Sequence, residues 1–358
     1  MTTPPIHLLG LLPEDLVAHM EARGERCSLT EARQVLSRVI SEGASDPTPR
    51  REPRRALVEA IRRQATWERL EVLERVPDEE GKSVRYLFRS PDGALSEAVR
   101  IGLHKPDHFT VCLSSQVGCA MQCAFCATGR LGLTRNLEPW EILSAFLTVR
   151  DEAPGRVAGA VFMGQGEPFH SYDAVIQAAR VLCSPSGGRI AKETITISTV
   201  GLVPQIRRYT RERHPYKLII SLTSTVAERR VQLLPVAGRT DLAELASAIR
   251  DYSEVAQDRV TVAWVVIGGV NTGQDEVDGL RRLLSDLPLR INLIDVNDNR
   301  PESAGGFRRA TPGELKAFLD KLQVLKVPVV RRYSVGQDKD SACGMLAGRR
   351  AAAAAQER

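Results

Sequence analysis

Three cysteines stand in the stretch Cys119-Ala-Met-Gln-Cys123-Ala-Phe-Cys126, with the spacing C-x3-C-x2-C. A short loop of this kind can direct three thiolates to one point, and thiolates are soft ligands that select zinc, copper(I) or iron–sulfur clusters. A structural zinc site needs four protein ligands, and no fourth cysteine or histidine follows at zinc-finger spacing. Three cysteines suit a 4Fe–4S cluster in which one iron has no protein ligand. The stretch therefore predicts an iron–sulfur loop rather than cysteines that only fill a core.

The composition is ordinary for a globular protein, with 358 residues of which 43% are hydrophobic and 26% charged. No apolar run is long enough to cross a membrane and no leader-like segment opens the chain, so we expect a cytoplasmic protein without a membrane partner. Seven cysteines, three of them in one motif, argue against a disulfide framework. The net charge of +5 includes arginine clusters that could neutralise phosphates, although solvated surface explains any single cluster equally well.

Residues 1–90 are predicted to form a small, mainly helical accessory domain. Apolar residues recur at helical spacing within residues 8–20, 31–40 and 56–70. Two predicted strands, residues 84–88 and 98–103, flank the turn Ser90-Pro-Asp-Gly93, which is a typical hairpin signal. This domain could bind nucleic acid or serve only as a packing module, and the sequence leaves both possibilities open.

From residue 109 onward, predicted strands alternate with predicted helices, which is typical of a β/α architecture. The strands are expected at residues 109–114, 158–163, 194–198, 218–222, 260–267 and 291–296, with a further extended run at 327–332. Helices are expected at residues 139–149, 172–182, 203–209, 242–252 and 276–284, and after a capping box that begins at Thr311. Six such units predict an α/β fold with a partial (β/α)6 barrel, whose ligands bind at the carboxyl ends of the strands. We assign the barrel to residues 91–343 and a tail to residues 344–358.

Further candidate residues stand at these strand ends. Gly166 and Glu167 follow the second strand, where glycine would let the backbone approach a ligand and the carboxylate could accept a hydrogen bond from an amino group. Ser198, Ser221 and Asn297 end the third, fourth and sixth strands. Taken singly, each is equally compatible with an ordinary turn or strand end. On spacing alone, Cys112 and Cys343 would be classed as structural cysteines.

The aromatic Phe125 before the last cysteine matches the pattern of radical S-adenosylmethionine (SAM) enzymes, in which SAM chelates the open iron. The whole chain resembles the RlmN/Cfr-type radical-SAM RNA methyltransferases, which methylate an adenine of 23S ribosomal RNA. The resemblance covers residues 8–348, and the pair Cys112 and Cys343 narrows it to methylcysteine-dependent RNA methylation. Its main motifs are Cys112-Leu-Ser-Ser-Gln-Val-Gly-Cys119, Cys126-Ala-Thr-Gly129, Gly166-Glu-Pro168, Ile197-Ser-Thr199, Ile291-Asn-Leu-Ile294 and Ala342-Cys-Gly344.

The resemblance implies two groups of cofactor-binding residues. Cys119, Cys123 and Cys126 would hold the 4Fe–4S cluster. SAM would be bound by residues at the strand ends, namely Gly166, Glu167, Ser198, Ser221, Leu222, Thr223 and Asn297. The family also implies an RNA partner, which is 23S ribosomal RNA or transfer RNA, and an electron donor such as flavodoxin. We expect a monomer.

The resemblance also implies a reaction through Cys343, which would receive a methyl group from one SAM. A 5′-deoxyadenosyl radical from a second SAM would remove a hydrogen from this methylthioether, and the carbon radical would add to adenine at C2 or C8. Cys112 would release the product by forming a disulfide bond with Cys343, and Glu97 would accept a proton. A radical route suits these ring carbons because they are poor nucleophiles.

The chain departs from the family pattern at three places. Thr223 stands where the family has histidine, Asp298 follows Asn297 where proline is common, and residues 334–338 replace an acidic run before Cys343. An alternative is therefore a radical-SAM enzyme with another substrate, such as a peptide modifier or a glycyl-radical activase. A protein that binds RNA or an iron–sulfur cluster without turnover is a further alternative.

Overall fold

Short runs rich in valine and isoleucine form one ten-stranded sheet in the computed structural model, which describes residues 5–48, 54–256, 259–298, 300–332 and 342–346. β-Branched side chains favour strands because they pack well on a pleated surface. In chain order the strands are β1 (Ile6–His7), β2 (Ala65–Thr66), β3 (Glu71–Pro77), β4 (Ser83–Arg89), β5 (Leu95–Gly102), β6 (His108–Leu113), β7 (Gln116–Gly118), β8 (Leu133–Asn136), β9 (Arg156–Phe162), β10 (Ile195–Thr199), β11 (Lys217–Ser221), β12 (Val260–Val266), β13 (Leu289–Asp295) and β14 (Val329–Arg332).

The strand order of the large sheet is β14-β13-β12-β11-β10-β9-β6-β5-β4-β3. Strands β6 and β9 to β14 run parallel, whereas β5, β4 and β3 extend the sheet in antiparallel fashion. The α/β fold class and the six predicted strands are confirmed, and the extended run near residue 330 is a further parallel strand. Parallel strands direct their carboxyl ends to the same edge of a sheet, so this edge gathers the candidate site residues.

Helices connect the parallel strands, as the alternating pattern predicted. They are α1 (Pro13–Glu21), α2 (Leu29–Leu36), α3 (Arg55–Gln64), α4 (Ala127–Arg130), α5 (Pro139–Glu152), α6 (Tyr172–Cys183), α7 (Val203–Glu212), α8 (Ala227–Leu233), α9 (Leu242–Val255), α10 (Gln274–Leu284) and α11 (Pro312–Leu322). The capping box of α11 is confirmed, because Thr311 and Glu314 exchange hydrogen bonds between side chain and backbone. None of the helices in the described ranges is long and apolar enough to span a membrane.

The N-terminal helices share an apolar core with the sheet. Leu16, Val35 and Ile61 are fully buried in the same cluster as residues of β9 to β13. The third predicted helix, expected to reach residue 70, ends at Gln64, because the following residues pair with β1 and then form β3. This pairing joins segments far apart in the chain, so local periodicity did not reveal it.

The predicted division of the chain at residue 90 remains a prediction. Residue 90 lies in the turn between β4 and β5, which pair over their whole length. The turn itself is the predicted hairpin, with the Gly93 N–H donating to the Ser90 carbonyl at 2.9 Å. If the boundary lay before β3 instead, all ten strands of the large sheet would belong to the second domain.

We predict that Ser144→Ala destabilises the whole protein. The Ser144 hydroxyl is buried on α5 and accepts a hydrogen bond from the Leu70 N–H at 2.7 Å. Alanine would leave this buried N–H without a partner, so the free energy of unfolding should fall by about 1–3 kcal/mol in urea titrations. Ser285→Ala, at an exposed serine, is the matched control and should change it by less than about 0.5 kcal/mol.

Candidate active site

The cluster loop, residues 119–128 including the first two residues of α4, is set by a hairpin that requires glycine at its base. Gly118 has a φ of +76°, and a Cβ atom there would lie 1.9 Å from the carbonyl oxygen of Gly132. This close approach allows the Cys119 N–H to donate to the same oxygen at 2.7 Å. Any side chain at Gly118 would therefore displace the first cysteine.

The three cysteines of the loop form one group. Cys119 and Cys123 are buried, Cys126 is half-buried, and the Cys126 N–H donates to the Cys123 carbonyl at 3.1 Å. Burial and, to a smaller extent, the neighbouring Cys126 raise the pKa of the Cys119 thiol to about 12. Burial also raises the pKa of Cys123, with added contributions from Cys126 and Cys119. The thiols are therefore close enough to influence one another's ionisation.

These residues fit a 4Fe–4S cluster. In the described ranges, no three His, Cys, Asp or Glu side chains converge on a position that suits a single metal ion. A cubane does not need that arrangement, because each thiolate binds a different iron. It needs free thiols in an apolar shell, and all three are free and packed with Met121, Leu233 and other apolar side chains. Three thiol donors also agree with the soft ligand that iron–sulfur clusters require.

The strand register puts four predicted site residues on one face of the sheet: Glu97, Cys112, Ser198 and Ser221. Side chains two residues apart on a strand point the same way, as do directly paired residues. Glu97 is two residues from Val99, which pairs with Cys112. The register then leads from Cys112 across β9 to β10 and β11, where Ser198 and Ser221 are half-buried.

Glu167 is held rigidly beside the cluster loop. Its carboxylate accepts hydrogen bonds from the N–H groups of Phe169 and Val200, both at 2.9 Å. Its own N–H donates to the side chain of Gln116 at 2.9 Å. Burial raises the pKa of Glu167 to about 7, although these hydrogen bonds oppose the rise. Gly166, with a φ of +100°, allows this close packing, because a Cβ atom would lie 2.6 Å from the Gln116 side chain.

Thr223 combines backbone strain with an unsatisfied hydroxyl. Its φ of +61° lies in the left-handed region, which β-branched residues rarely adopt. Its carbonyl accepts a hydrogen bond from Asn271 at 2.7 Å, while its buried hydroxyl has no partner in the described structure. Leu222, next to it, is buried and donates to the Ala263 carbonyl at 3.0 Å. Strain of this kind tends to occur at functional sites.

The C-terminal segment, residues 342–346, is attached to the cluster loop and to Asn297. The Ala127 N–H donates to the Gly344 carbonyl at 2.8 Å, and the Thr128 hydroxyl donates to the Leu346 carbonyl at 3.1 Å. The Asn297 side chain donates to the Cys343 carbonyl at 3.2 Å. These contacts bring Cys343 to the mouth of the barrel.

Cys343 also lies near Cys112. Val99, Cys112 and Leu346 pack together in a small apolar cluster. Burial raises the pKa of Cys112 to about 12, with a further contribution from Cys343. Cys343 is an exposed residue, but the surrounding protein desolvates its thiol and raises its pKa to about 11, with Cys126 as the next cause. Both are free thiols, so the implied disulfide bond is absent from this structure.

Glu97 is buried within a polar network that sequence reasoning missed. Arg85 donates to its carboxylate at 2.6 Å, and Gln165 donates to it at 3.2 Å. The Ser114 hydroxyl donates to the Glu97 carbonyl at 2.6 Å. Gln165 lies within the Gly-Gln-Gly-Glu run, which offered a signal, whereas Arg85 lies on β4 with no motif around it.

Comparison with known proteins agrees with this geometry. Residues 113–284 match the family model described as the Radical SAM superfamily. A probable RNA methyltransferase of Anaeromyxobacter sp. (strain Fw109-5) is 44% identical over 96% of this chain and 99% of its own length. A dual-specificity RNA methyltransferase RlmN of Anaeromyxobacter dehalogenans is 36% identical over 97% of this chain and 95% of its own length. The chain belongs to the RlmN-type radical-SAM RNA methyltransferases.

Membership of this family makes the chain a SAM-dependent RNA methyltransferase and confirms the resemblance seen in the sequence. A crystal structure of a radical SAM methyltransferase from Sphaerobacter thermophilus is also similar. It has a TM-score of 0.85 and 33% sequence identity, and the match covers 96% of this chain and 100% of that one. The family implies a 4Fe–4S cluster and SAM as cofactors.

We predict that replacing any one of Cys119, Cys123 or Cys126 by alanine abolishes the cluster. The remaining pair of thiolates would not hold the cube. Iron and sulfide content and the brown absorbance, measured after anaerobic reconstitution, should fall to background. Cys183→Ala is the control, since this half-buried thiol on α6 donates to the Ala179 carbonyl, and it should keep full iron content. Full iron and sulfide in any loop variant would refute the assignment.

Proposed function

We propose that the enzyme methylates an adenine ring carbon, C2 or C8, in 23S ribosomal RNA or transfer RNA, through a methyl group carried on Cys343. One observation carries this proposal: the C-terminal segment is hydrogen-bonded to the cluster loop and packs on Cys112. Cys343 therefore adjoins both the cluster cysteines and a second free thiol. A structural cysteine would not need either neighbour.

When bound, the cluster and SAM would supply the radical that activates the methyl group. Cys343 would lose its proton, and its thiolate would first attack the methyl carbon of a SAM molecule. A carbon–sulfur bond would form at Cys343, the bond between the methyl group and the SAM sulfur would break, and S-adenosylhomocysteine would leave. The solvent access of Cys343 supports entry of SAM, and its pKa of about 11 means that the thiol must be deprotonated as it reacts. The hydrogen bond from Asn297 would hold its backbone in position.

Cys112 would act last, by attacking the sulfur of Cys343 after the methylene carbon has joined adenine. A sulfur–sulfur bond would form and the carbon–sulfur bond would break, with its electron pair leaving on carbon, which then takes a proton. Attack by a thiolate on sulfur is the general mechanism of thiol exchange. Cys112 is buried and packs against Leu346, which helps to shield it from solvent.

Glu97 would accept the proton that leaves the ring carbon after the radical adduct has given up one electron, which the oxidised cluster, when bound, could accept. Arg85 forms an ion pair with Glu97 at 2.6 Å, and a carboxylate is the form of this side chain that can accept a proton. Gln165 and Arg85 together fix its orientation on the same face as Cys112. Arg85 and Gln165 are therefore proposed as positioning residues.

A cavity of about 450 Å³ beside the C-terminal segment supports binding of a single base. Asn297, Arg300, Arg309 and Met345 line it, and Met345 is two residues from Cys343. Enzymes that modify a base must extract it from its stack into such a pocket. Arginines at the rim would attract RNA phosphates. We infer that the target adenine enters here.

We predict different outcomes for the two outlying cysteines. Cys343→Ala should stop the reaction before RNA is touched, because no methyl carrier exists. Cys112→Ala should allow addition to adenine but not release, leaving a protein–RNA crosslink that survives denaturing electrophoresis. Cys27→Ala, at a buried cysteine of the N-terminal unit, is the control and should turn over normally. Full turnover by Cys112→Ala would show that the roles are wrongly assigned.

A labelling experiment tests the route and the target together. With SAM that carries a trideuterated methyl group, one deuterium should be lost to the radical and one solvent proton gained. The modified adenosine should therefore retain two of the three deuterium atoms, as measured by nucleoside mass spectrometry of RNA that lacks the modification beforehand. Direct methyl transfer would leave all three. RNA without label, in the presence of an intact cluster, would exclude RNA methylation, and comparison with C2- and C8-methyladenosine standards would identify the carbon.

A further inference from the structure

Arg230 on α8 is fully buried behind the cluster loop. Its side chain is among the largest in the described structure with no solvent exposure. Its guanidinium donates to the carbonyl of Leu222 and, at 2.9 Å, to that of Val200. Carbonyl oxygens satisfy hydrogen-bonding groups but do not neutralise a charge.

In the part of the chain that the structure describes, no carboxylate forms an ion pair with Arg230. The acids near α8 are engaged elsewhere or exposed. Glu276 pairs with Arg229, and Asp298 pairs with Arg300. The Glu167 carboxylate accepts hydrogen bonds from the backbone N–H groups of Phe169 and Val200, and Glu228 is exposed. The Arg230 Nε atom has no partner either. A buried cation without an opposite charge is strongly destabilising, so such cations are almost always paired. The described residues around Arg230 therefore include no carboxylate that compensates its charge.

The backbone contacts of the guanidinium indicate where a compensating anion belongs, because Val200, whose carbonyl it binds, packs against the apolar group that contains Cys119 and Cys123. Burial lowers the pKa of Arg230 to about 10, so the side chain remains charged at neutral pH, and Cys123 is the group whose charge opposes that shift. The thiolate form of this cysteine is the form that binds iron.

The packing of α8 also places Arg230 near the cluster loop. The Leu233 carbonyl of α8 accepts a hydrogen bond from the Ala124 N–H, in the middle of the cluster loop, at 3.0 Å. Leu233 and Leu234 pack in the same apolar group as Cys119 and Cys123. Arg230 lies one helical turn before these leucines. The helix therefore fixes a positive charge against the loop, in surroundings that exclude water.

We propose that Arg230 is the buried counter-cation of the iron–sulfur cluster and raises its reduction potential. This inference rests on the cluster that the family implies, and not on Cys343 or RNA. Three thiolates give the oxidised cluster a net negative charge, and reduction adds another. A fixed cation in a low-dielectric site stabilises the reduced form more than the oxidised form. Arg230 is a positioning residue in this role, since it acts through the cluster.

The test is an anaerobic redox titration of the reconstituted full-length enzyme, followed by electron paramagnetic resonance without SAM or RNA. Arg230→Gln should lower the ratio of reduced to oxidised cluster about tenfold at a fixed solution potential, which corresponds to about 59 mV for one electron. Arg230→Lys keeps the charge and should restore most of this ratio. Arg229→Gln is the matched control, because it removes the same charge at the neighbouring position. The Arg229 side chain is 24% exposed and is paired with Asp275 and Glu276. It should leave the ratio unchanged.

Several outcomes would overturn the proposal. An unchanged reduction potential in Arg230→Gln would overturn it. If the same variant also bound SAM more weakly, the counter-anion of Arg230 would be the SAM carboxylate instead of the cluster. A potential shifted equally by Arg229→Gln would mean that the effect is not specific. Where Arg230→Gln fails to assemble the cluster, Arg230→Lys must still assemble it, because loss in both variants would show that the carbonyl contacts matter rather than the charge. Since no RNA is present, these outcomes are independent of whether methylation proceeds through Cys343.

Discussion

The backbone of the cluster loop is fixed by hydrogen bonds to three distant parts of the chain. The Cys119 N–H binds the carbonyl of Gly132, the Ala124 N–H that of Leu233, and the Ala127 N–H that of Gly344. A free loop would lose much conformational entropy if metal binding alone ordered it. The fold orders it beforehand, and the sheet, α8 and the C-terminal segment are each positioned relative to this one loop.

Exclusion of water is the second consequence of this packing. Burial disfavours the ionised forms of the cysteines and of Glu167. It also disfavours the charged form of Arg230, which has no carboxylate partner among the described residues. Electrostatic interactions are stronger in such surroundings than in water, so each fixed charge has a larger effect on the others. The cysteines, Glu167 and Arg230, whose pKa values are all shifted, therefore belong to one low-dielectric site. A negatively charged cluster would complete this site.

The sheet topology explains how distant residues reach this site. Parallel strands end at one edge, so Glu167, Ser198, Ser221 and Asn297 follow four different strands to one mouth. The antiparallel strands β4 and β5 continue the same surface and add Arg85 and Glu97 beside Cys112. Residues 342–346 also lie at this edge, where they bind the loop.

By itself, the sequence determined the cluster motif, the alternation of strands and helices, and the family. These depend on local spacing: a cysteine loop needs only eight consecutive positions, residues 119–126, and helical periodicity is visible within one element. Strand β3, the end of α3 at Gln64, and the network around Glu97 depended on strand pairing between remote segments. Arg230 had no motif at all. Only the tertiary structure shows that Arg230 is buried and that no carboxylate among the described residues pairs with it. Burial and charge pairing are properties of the packed chain and not of the residue.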